Sequence, residues 1–453
     1  MSATGFSRRT FLKSVGAAGA LVLSVGQLGP YVLGQKTALL GLAVPVQTFF
    51  GEAAEKSLRL AISQINAGKD ILGKDIPKGL LGNPLDLTVS DSAGRGDQAL
   101  RAVQELVLSK RADFLMGFFF SEELLGALPA IPVLRKIFMG TGAATPVATI
   151  QVSSDYNNFK YFFRPGPSNS FFILQALAVF IRDFLEKKQA WNSLVLFAED
   201  AAWNKAITDG MPAILKAFGS KVEVAKVIRF AEDTADFTPI YKDAVEAMKG
   251  KKGGLLTTLA HTGLRPTIQW WDQKVPLPFA GINVQTQDAR FPTLSGGKVE
   301  SVTTYTSAAR TKITEKTIPF FDAFEKFTAF KPEVTAPSYN AVISYDALFI
   351  LKEAVERAGV LPDTEANTDK IIAELEKTDY VGNAGRIQFY KRGEKGVSPL
   401  RPDQDFPHDV RYGSGFVEGV FIQYQGKELK AETLFPDKVK TTDSFISPPW
   451  LQG

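Results

Sequence analysis

The sequence predicts an α/β protein made of two doubly wound parallel-sheet lobes. The chain has 453 residues, of which 45% are hydrophobic, and this length exceeds that of most single domains. Short apolar runs alternate with segments of helical periodicity, which is typical of parallel sheets covered by helices. The alternation stops at Tyr-Phe-Phe-Arg-Pro-Gly-Pro, residues 161–167, and then restarts, which predicts a crossing into a second lobe of similar design.

The first lobe begins with residues 37–44, a continuous apolar run that predicts a strand buried on both faces. After a loop, apolar residues recur at helical spacing between residues 55 and 65. The same criteria predict further strands at residues 85–89 and 114–116, a helix at residues 98–108 and a helix that starts near Ser121.

The second lobe repeats the pattern. Helices are predicted at residues 171–184, 205–218, 240–248 and 263–272, and strands at residues 193–197, 222–228, 254–259 and 278–281. A long helix at residues 340–358 is predicted to return to the first lobe. Alternating polar and apolar residues at 386–390 and 416–424 predict antiparallel edge strands near the C-terminus.

We expect residues 36–162 and 303–385 in the first lobe, and residues 163–302 and 386–453 in the second lobe and the C-terminal tail.

Residues 1–35 have the features of an export signal. Ser-Arg-Arg-Thr-Phe-Leu-Lys, residues 7–13, precedes a short apolar stretch, and the paired Arg8 and Arg9 predict the twin-arginine (Tat) route and its export machinery. Cleavage is placed near Gly34, although an uncleaved membrane anchor and a chance arginine pair before a buried helix are alternatives. We therefore expect the mature protein in the periplasm.

Composition argues against several functions. A net charge of only +4 without charged blocks argues against a nucleic-acid partner, and the absence of cysteine excludes disulfides and thiolate chemistry. Of the two histidines, His408 is expected to be solvated in a polar loop, whereas His261 follows a buried strand. No metal-binding, phosphate-binding or nucleophile-elbow motif is present. The sequence therefore predicts no enzyme activity, no catalytic residue, no cofactor and no metal.

Ligands of such sheets bind beyond the carboxyl ends of the strands. The loops predicted at that position are residues 45–51, 117–121, 140–146 and 198–204, and they hold large aromatic side chains, among them Phe49, Phe50 and Trp203. The helix near Ser121 would direct its free N–H groups to the same place, where they would suit a carboxylate.

From about residue 37 to about residue 430 the chain resembles the periplasmic leucine/isoleucine/valine-type solute-binding proteins of ABC transporters, which have a type I binding fold. The resemblance depends on the order of residues 51–66, Asp91-Ser-Ala, Gly140-Thr-Gly-Ala-Ala-Thr-Pro, Phe163-Arg-Pro and residues 339–347. It implies two lobes joined by a three-crossover hinge, with crossovers near Phe163, Val302 and Gly385, and a receptor that closes on a small molecule by hinge motion and delivers it to a membrane permease. We expect the receptor to be a monomer. It assigns ligand binding to Phe49 or Phe50, Phe120 or Ser121, Ala143, Thr145, Trp203, His261, Asn283 and Tyr339.

One position departs from the pattern. Amino-acid binders of this type pair the ligand ammonium with a carboxylate where this chain has Asn283, and a neutral amide cannot balance a buried positive charge. Asp200 or Asp288 could substitute. Otherwise a carboxylate without an ammonium, aromatic or aliphatic, or an amide fits better. A ligand sensor of the same fold and a hydrolase that pairs a serine with His261 are the competing interpretations.

Overall fold

Two parallel sheets, each covered by helices, form the two lobes of the protein. The computed structural model describes residues 36–328 and 337–452, so the predicted export signal lies outside the described residues. The strands are β1 (Ala38–Val44), β2 (Leu85–Asp91), β3 (Phe114–Gly117), β4 (Phe138–Gly140), β5 (Phe162–Phe163), β6 (Ser193–Glu199), β7 (Glu223–Phe230), β8 (Gly253–Leu259), β9 (Phe279–Asn283), β10 (Thr303–Thr306), β11 (Tyr380–Val381), β12 (Arg386–Ile387), β13 (Val420–Gln425) and β14 (Lys430–Phe435).

The helices lie between the strands, as the alternation predicts. They are α1 (Phe49–Ala67), α2 (Gly96–Gln104), α3 (Ser121–Ala127), α4 (Ile131–Leu134), α5 (Val147–Ser154), α6 (Tyr156–Phe159), α7 (Ser170–Phe180), α8 (Lys205–Ala217), α9 (Thr238–Ala247), α10 (Leu264–Asp272), α11 (Phe291–Leu294), α12 (Thr317–Phe327), α13 (Tyr339–Ala358) and α14 (Glu365–Leu375). π-Helical turns at Glu105–Ser109 and Ile181–Glu186 extend α2 and α7.

Each main sheet has the strand order of a doubly wound fold. The first runs β2-β1-β3-β4-β5 and the second β7-β6-β8-β9, and every pairing in both is parallel. Strands β1 and β6 therefore lie inside their sheets, and their almost uniformly buried side chains explain the continuous apolar runs. The fold class predicted from the sequence is confirmed.

Helix α1 begins earlier than predicted. The hydroxyl of Thr48 accepts the N–H of Gly51 at 3.2 Å and caps the helix, so Phe49 and Phe50 lie in its first turn rather than in a loop. Gly68 ends the helix in the left-handed conformation, with φ of 76°. Helix α13 packs against α1, so the long apolar helix does return to the core of the first lobe.

The boundaries of the last two crossovers lie later than predicted. Strand β10 pairs with β13, and β13 with β14, in an antiparallel sheet whose side chains join the core of the second lobe. By contrast, Ile387, Phe389, Val410 and Val417 pack in the first-lobe core. Strand β12, at the start of the first predicted edge strand, pairs with β11. Within the described ranges, no helix is both long and apolar enough to cross a membrane.

Candidate functional site

The loops that follow β3, β4, β6, β8 and β9 meet across a cleft between the lobes. They enclose a cavity of about 560 Å³, a volume that includes space open to solvent. Its lining is Phe119, Phe120, Ser121, Gly142, Ala144, Pro167, Ser168, Ile173, Trp203, Ala260, His261, Ile282, Val284, Tyr305, Thr306, Ser307 and Tyr339. The lining is mostly apolar and aromatic, and it contains no Asp, Glu, Lys or Arg.

The first-lobe wall contains hydrogen-bond donors that the protein does not use. Ser121 Oγ accepts the N–H of Thr145 at 3.0 Å, which joins the loops after β3 and β4 and leaves the Ser121 hydroxyl proton free to donate. The N–H of Ala143 donates to the Phe118 carbonyl at 2.9 Å. In the described chain, the N–H groups of Gly142 and Ala144 donate to no protein acceptor. This wall can therefore receive an acceptor group of a ligand.

Aromatic packing and a buried carboxylate support the same wall. The ring of Phe50 stacks on Phe119 with centroids 3.5 Å apart, and Phe49 lies against Phe50, so both residues back the lining rather than form it. Glu123 accepts the N–H groups of Phe119 and Phe120 at 3.0 and 2.8 Å and the hydroxyl of Ser92. Burial raises the pKa of Glu123 to about 7, against the opposing effect of these hydrogen bonds.

The second-lobe wall is organised by Glu199, the last residue of β6. Its carboxylate accepts the indole N–H of Trp203 at 2.9 Å and the backbone N–H groups of Ala260, His261 and Thr262 at 2.9 to 3.0 Å. It also accepts the Thr262 hydroxyl at 3.0 Å. Glu199 therefore connects the loops after β6 and β8, and Asn204, which follows β6, also donates to the Thr258 carbonyl of β8 at 2.8 Å.

His261 lies where the two lobes meet. Its Nδ1 is 2.5 Å from Glu232 Oε1, and its Nε2 is 4.0 Å from Glu122 Oε2 of the first lobe. Burial lowers the pKa of His261, but the hydrogen bond to Glu232 and the charges of Glu199, Glu232 and Glu122 outweigh it, so the pKa is above its ordinary value. The ring meets Phe120 edge to face at 4.5 Å.

The hinge side of the cavity is formed by Tyr339, at the start of α13, and by residues next to β5 and β10. The Tyr339 hydroxyl donates to the Gly142 carbonyl at 2.8 Å, and its backbone N–H donates to Gln287 Oε1 at 2.8 Å. Burial raises the pKa of Tyr339 well above its usual value, so it remains a neutral donor. The hydroxyl of Ser307 donates to the Tyr339 carbonyl at 3.2 Å.

The predicted site residues fall into two groups. Phe120, Ser121, Trp203, His261 and Tyr339 lie together on the cavity lining. The others lie behind it or apart from it: Phe49, Phe50, Ala143, Thr145 and Asn283.

Asn283 is fully buried and directed away from the cavity. Its amide donates to Thr267 Oγ1 at 3.0 Å and to the Gly263 carbonyl at 3.4 Å. The suggested replacements for its missing charge are engaged or distant as well. Asp288 forms an ion pair with Arg290 at 2.6 Å, and Asp200 is 66% exposed. No described acid at these positions faces the cavity.

The prediction that His408 is solvated is wrong. It is buried, with Nδ1 2.9 Å from the Phe162 carbonyl and Nε2 3.0 Å from Glu376 Oε1, and its ring stacks on Phe163 with centroids 3.9 Å apart. The residues next to His408 in the sequence are polar and indicated an exposed loop. The groups that bury the histidine come from distant segments of the chain. His408 thus anchors the loop beside β5 and plays no part in the cavity.

Sequence reasoning missed several residues of the site. Ser168, Tyr305 and Ser307 line the cavity, and Glu199 braces it. An acid at the end of an otherwise apolar strand is the one local signal that could have found Glu199. In the described ranges, no three His, Asp or Glu side chains cluster closely enough to hold a metal ion.

The model of the periplasmic binding protein family matches residues 39–402. No curated protein sequence matches the chain. The fold is similar to that of the branched-chain amino acid substrate-binding protein LivJ of Streptococcus pneumoniae, solved with isoleucine, with a TM-score of 0.66, 17% identity, and coverage of 88% of this chain and 100% of that one. It is also similar to a solute-binding protein of an ABC transporter from R. palustris, solved with benzoate, with a TM-score of 0.67, 16% identity and coverage of 88% and 96%.

A leucine-binding protein of Thermotoga maritima has a TM-score of 0.65 at 15% identity, with coverage of 90% of this chain and 99% of that one. At these identities the solved structures establish the shared fold. The family match covers most of the sequence and agrees with the resemblance predicted from the motifs, and the chain therefore belongs to the periplasmic binding protein family.

Proposed function

We propose that this binding protein is the extracytoplasmic receptor of an ABC transporter and that its ligand is a small carboxylate without an ammonium group, preferably an aromatic one. The observation that carries the proposal is the cavity between the lobes, which is rich in aromatic side chains, contains free donors on one wall and has no acid or base of the Asp, Glu, Lys or Arg type in its lining.

The free donors favour a ligand that accepts hydrogen bonds. The Ser121 hydroxyl and the N–H groups of Gly142 and Ala144 belong to one wall and are of the kind that binds carboxylates. The expected carboxylate site thus shifts by one residue from Ala143 and Thr145, because the N–H groups of those two are already bonded within the protein.

An amino acid would find no carboxylate in the cavity lining for its ammonium group. Behind the lining, Glu123 and Glu199 are saturated by donors of their own; Glu122 uses one oxygen for the N–H of Ala202, and its other oxygen, which has no hydrogen-bond partner, lies 4.0 Å from His261 Nε2. A buried positive charge without a carboxylate costs several kcal/mol in order of magnitude, on the scale of about 3–5 kcal/mol for a broken buried ion pair. Aromatic acids avoid this cost and can pack against Phe119, Phe120, Trp203 and Tyr339. The benzoate complex of the R. palustris relative supports this ligand class.

Binding and delivery follow from the two-lobed structure. The ligand enters the open cleft, the second lobe closes on it, and the closed form docks on the permease. The paired Arg8 and Arg9 support export by the Tat route. The two histidines are bonded to Glu232 and Glu376 rather than to a serine hydroxyl, which favours a receptor over the competing hydrolase that would pair a serine with His261.

Thermal shift and calorimetry with benzoate, 4-hydroxybenzoate, benzamide and isoleucine test the ligand class. We expect the two benzoates to raise the melting temperature by several degrees at saturation, because they bind only the folded state. Ser121→Ala should weaken benzoate binding about tenfold, because a hydrogen bond to a charged group contributes about 1.5–3 kcal/mol. Ser154→Ala, an exposed serine of the same lobe, is the control. Tighter binding of isoleucine than of benzoate would exclude the proposed ligand class.

A further inference from the structure

Glu199 is a fully buried carboxylate that touches the cavity lining without belonging to it. It is 0% exposed, and it forms no salt bridge within 4.0 Å in the described chain. Its charge is balanced instead by N–H and O–H donors from Trp203, Ala260, His261 and Thr262. Three of these four residues line the cavity.

The donors come from two loops that have no covalent link near the site. Trp203 follows β6, whereas residues 260–262 follow β8; Glu199 Oε1 accepts from both loops, and Oε2 accepts from residues 261 and 262. A carboxylate offers only acceptor sites, so it suits a shell made entirely of donors. A glutamine there would direct its NH₂ group at one of these donors, and at least one hydrogen bond would be lost.

We propose that Glu199 is the positioning residue of the second-lobe wall: it holds the Trp203 indole and the loop at residues 260–262 as one preorganised surface for the incoming solute. The inference rests on the proposed solute-binding function and adds to it how the wall is kept in shape before the ligand arrives. Preorganisation of this kind raises affinity, because less ordering remains to be done on binding.

The experiment combines Glu199→Gln with Trp203→Phe, which retains an aromatic ring but has no indole N–H. We expect Glu199→Gln to weaken benzoate binding at least tenfold. The double variant should be no more than twofold weaker than Glu199→Gln alone, because both substitutions break the same contact. In the ligand-free protein, one of the five indole N–H resonances should move in Glu199→Gln, together with the amide resonances of residues 260–262.

Two further variants keep the test decisive. Thr262→Val removes one hydroxyl donor to Glu199 outside the cavity lining, and it should weaken benzoate binding about threefold even if Glu199→Gln does not fold. Asp346→Asn is the matched control, because it neutralises another fully buried carboxylate that is bonded to Asn383 in the first lobe. It should leave benzoate affinity and the indole spectrum unchanged.

The outcomes separate the two proposals. If the wild type binds neither benzoate nor any other panel ligand, the proposed ligand class fails, whereas the role of Glu199 is still decided by the ligand-free resonances. If those resonances do not move in Glu199→Gln, or if its effect and that of Trp203→Phe add fully, Glu199 does not position the wall.

Discussion

Removal of the Glu122 side chain is expected to shift the receptor towards its open form. Glu122 belongs to the first lobe, but its Oε1 accepts the N–H of Ala202 in the second lobe at 2.9 Å. Its Oε2 is 4.0 Å from His261 Nε2, also across the cleft. Both interactions exist only when the lobes are together, so Glu122→Ala should destabilise the closed form without altering the cavity lining.

The expected size of the effect is about 1 kcal/mol. A hydrogen bond to a charged group contributes about 1.5–3 kcal/mol when it is well shielded. The Glu122 side chain is 37% exposed, so solvent reduces this value and screens the attraction to His261. A change of about 1 kcal/mol lowers the ratio of closed to open molecules about fivefold.

Spin-label distance measurements can count the two populations. The chain contains no cysteine, so Asp97→Cys in the first lobe and Asp233→Cys in the second give two unique labels at exposed positions. We expect the closed fraction to fall in Glu122→Ala both without solute and at subsaturating solute. Because Glu122 does not line the cavity, the dissociation constants of all ligands should rise by the same factor.

Glu55→Ala provides a matched control. Glu55 is 32% exposed and forms an i,i+4 ion pair with Arg59 inside the first lobe, so its loss should leave the populations unchanged. The reasoning would be refuted by an unchanged closed fraction in Glu122→Ala or by an equal effect of Glu55→Ala. It would also be refuted if the factor by which Glu122→Ala raises the dissociation constant differed more than threefold between ligands.

Two further predictions concern stability as a function of pH. Because the folded-state pKa of His261 is raised, its stabilising contribution is complete below the unfolded value of 6.5 and is lost as the pH rises through the folded value. Urea denaturation measures how much more stable the wild type is than His261→Gln, and this difference should therefore shrink between pH 6 and pH 9. An increase would contradict the raised pKa of His261. The pKa of Glu123 is raised from 4.5 to about 7, so its protonated form stabilises the fold below pH 4.5 and this contribution disappears as the pH rises through 7. The free energy of unfolding of Glu123→Gln, relative to that of the wild type, should rise by up to about 3 kcal/mol between pH 4.5 and pH 8. A difference between the two proteins that does not change with pH would show that Glu123 ionises normally.

Local patterns predicted the order of the elements well, because buried parallel strands and amphipathic helices leave strong signals in sequence. Strand β1 and helix α13 were found within about two residues of their observed bounds. The start of α1 was missed, since Phe49 and Phe50 face the other lobe and break the polar–apolar rhythm of the helix. The capping residue Thr48 is weak evidence for the start of a helix when the contact of Phe49 and Phe50 with the other lobe is not known.

The site itself was only partly accessible from sequence. Aromatic and small residues after strand ends pointed to Phe120, Ser121 and Trp203, because all parallel strands direct their carboxyl ends to one edge. Tyr305 and Ser307 reach the cavity through the pairing of β10 with β13, a contact between segments more than a hundred residues apart. No local pattern contains such information, and the same holds for the partners of His408.

Under the proposed ligand class, the acids around the cleft account for selection against amino acids without any repulsive charge in the lining. Glu123 holds the first-lobe loop, Glu199 holds the second-lobe wall, and Glu122 joins the lobes. Glu123 and Glu199 are therefore occupied in shaping the cavity, whereas one oxygen of Glu122 has no hydrogen-bond partner. To recruit Glu123 or Glu199, a ligand would have to break hydrogen bonds that shape the cavity, and this loss opposes the gain from the new ion pair. A neutral or carboxylate ligand meets no such conflict, since the free donors of Ser121, Gly142 and Ala144 have no other role in the described structure. The proposed selectivity thus depends on which polar groups the fold leaves without a partner.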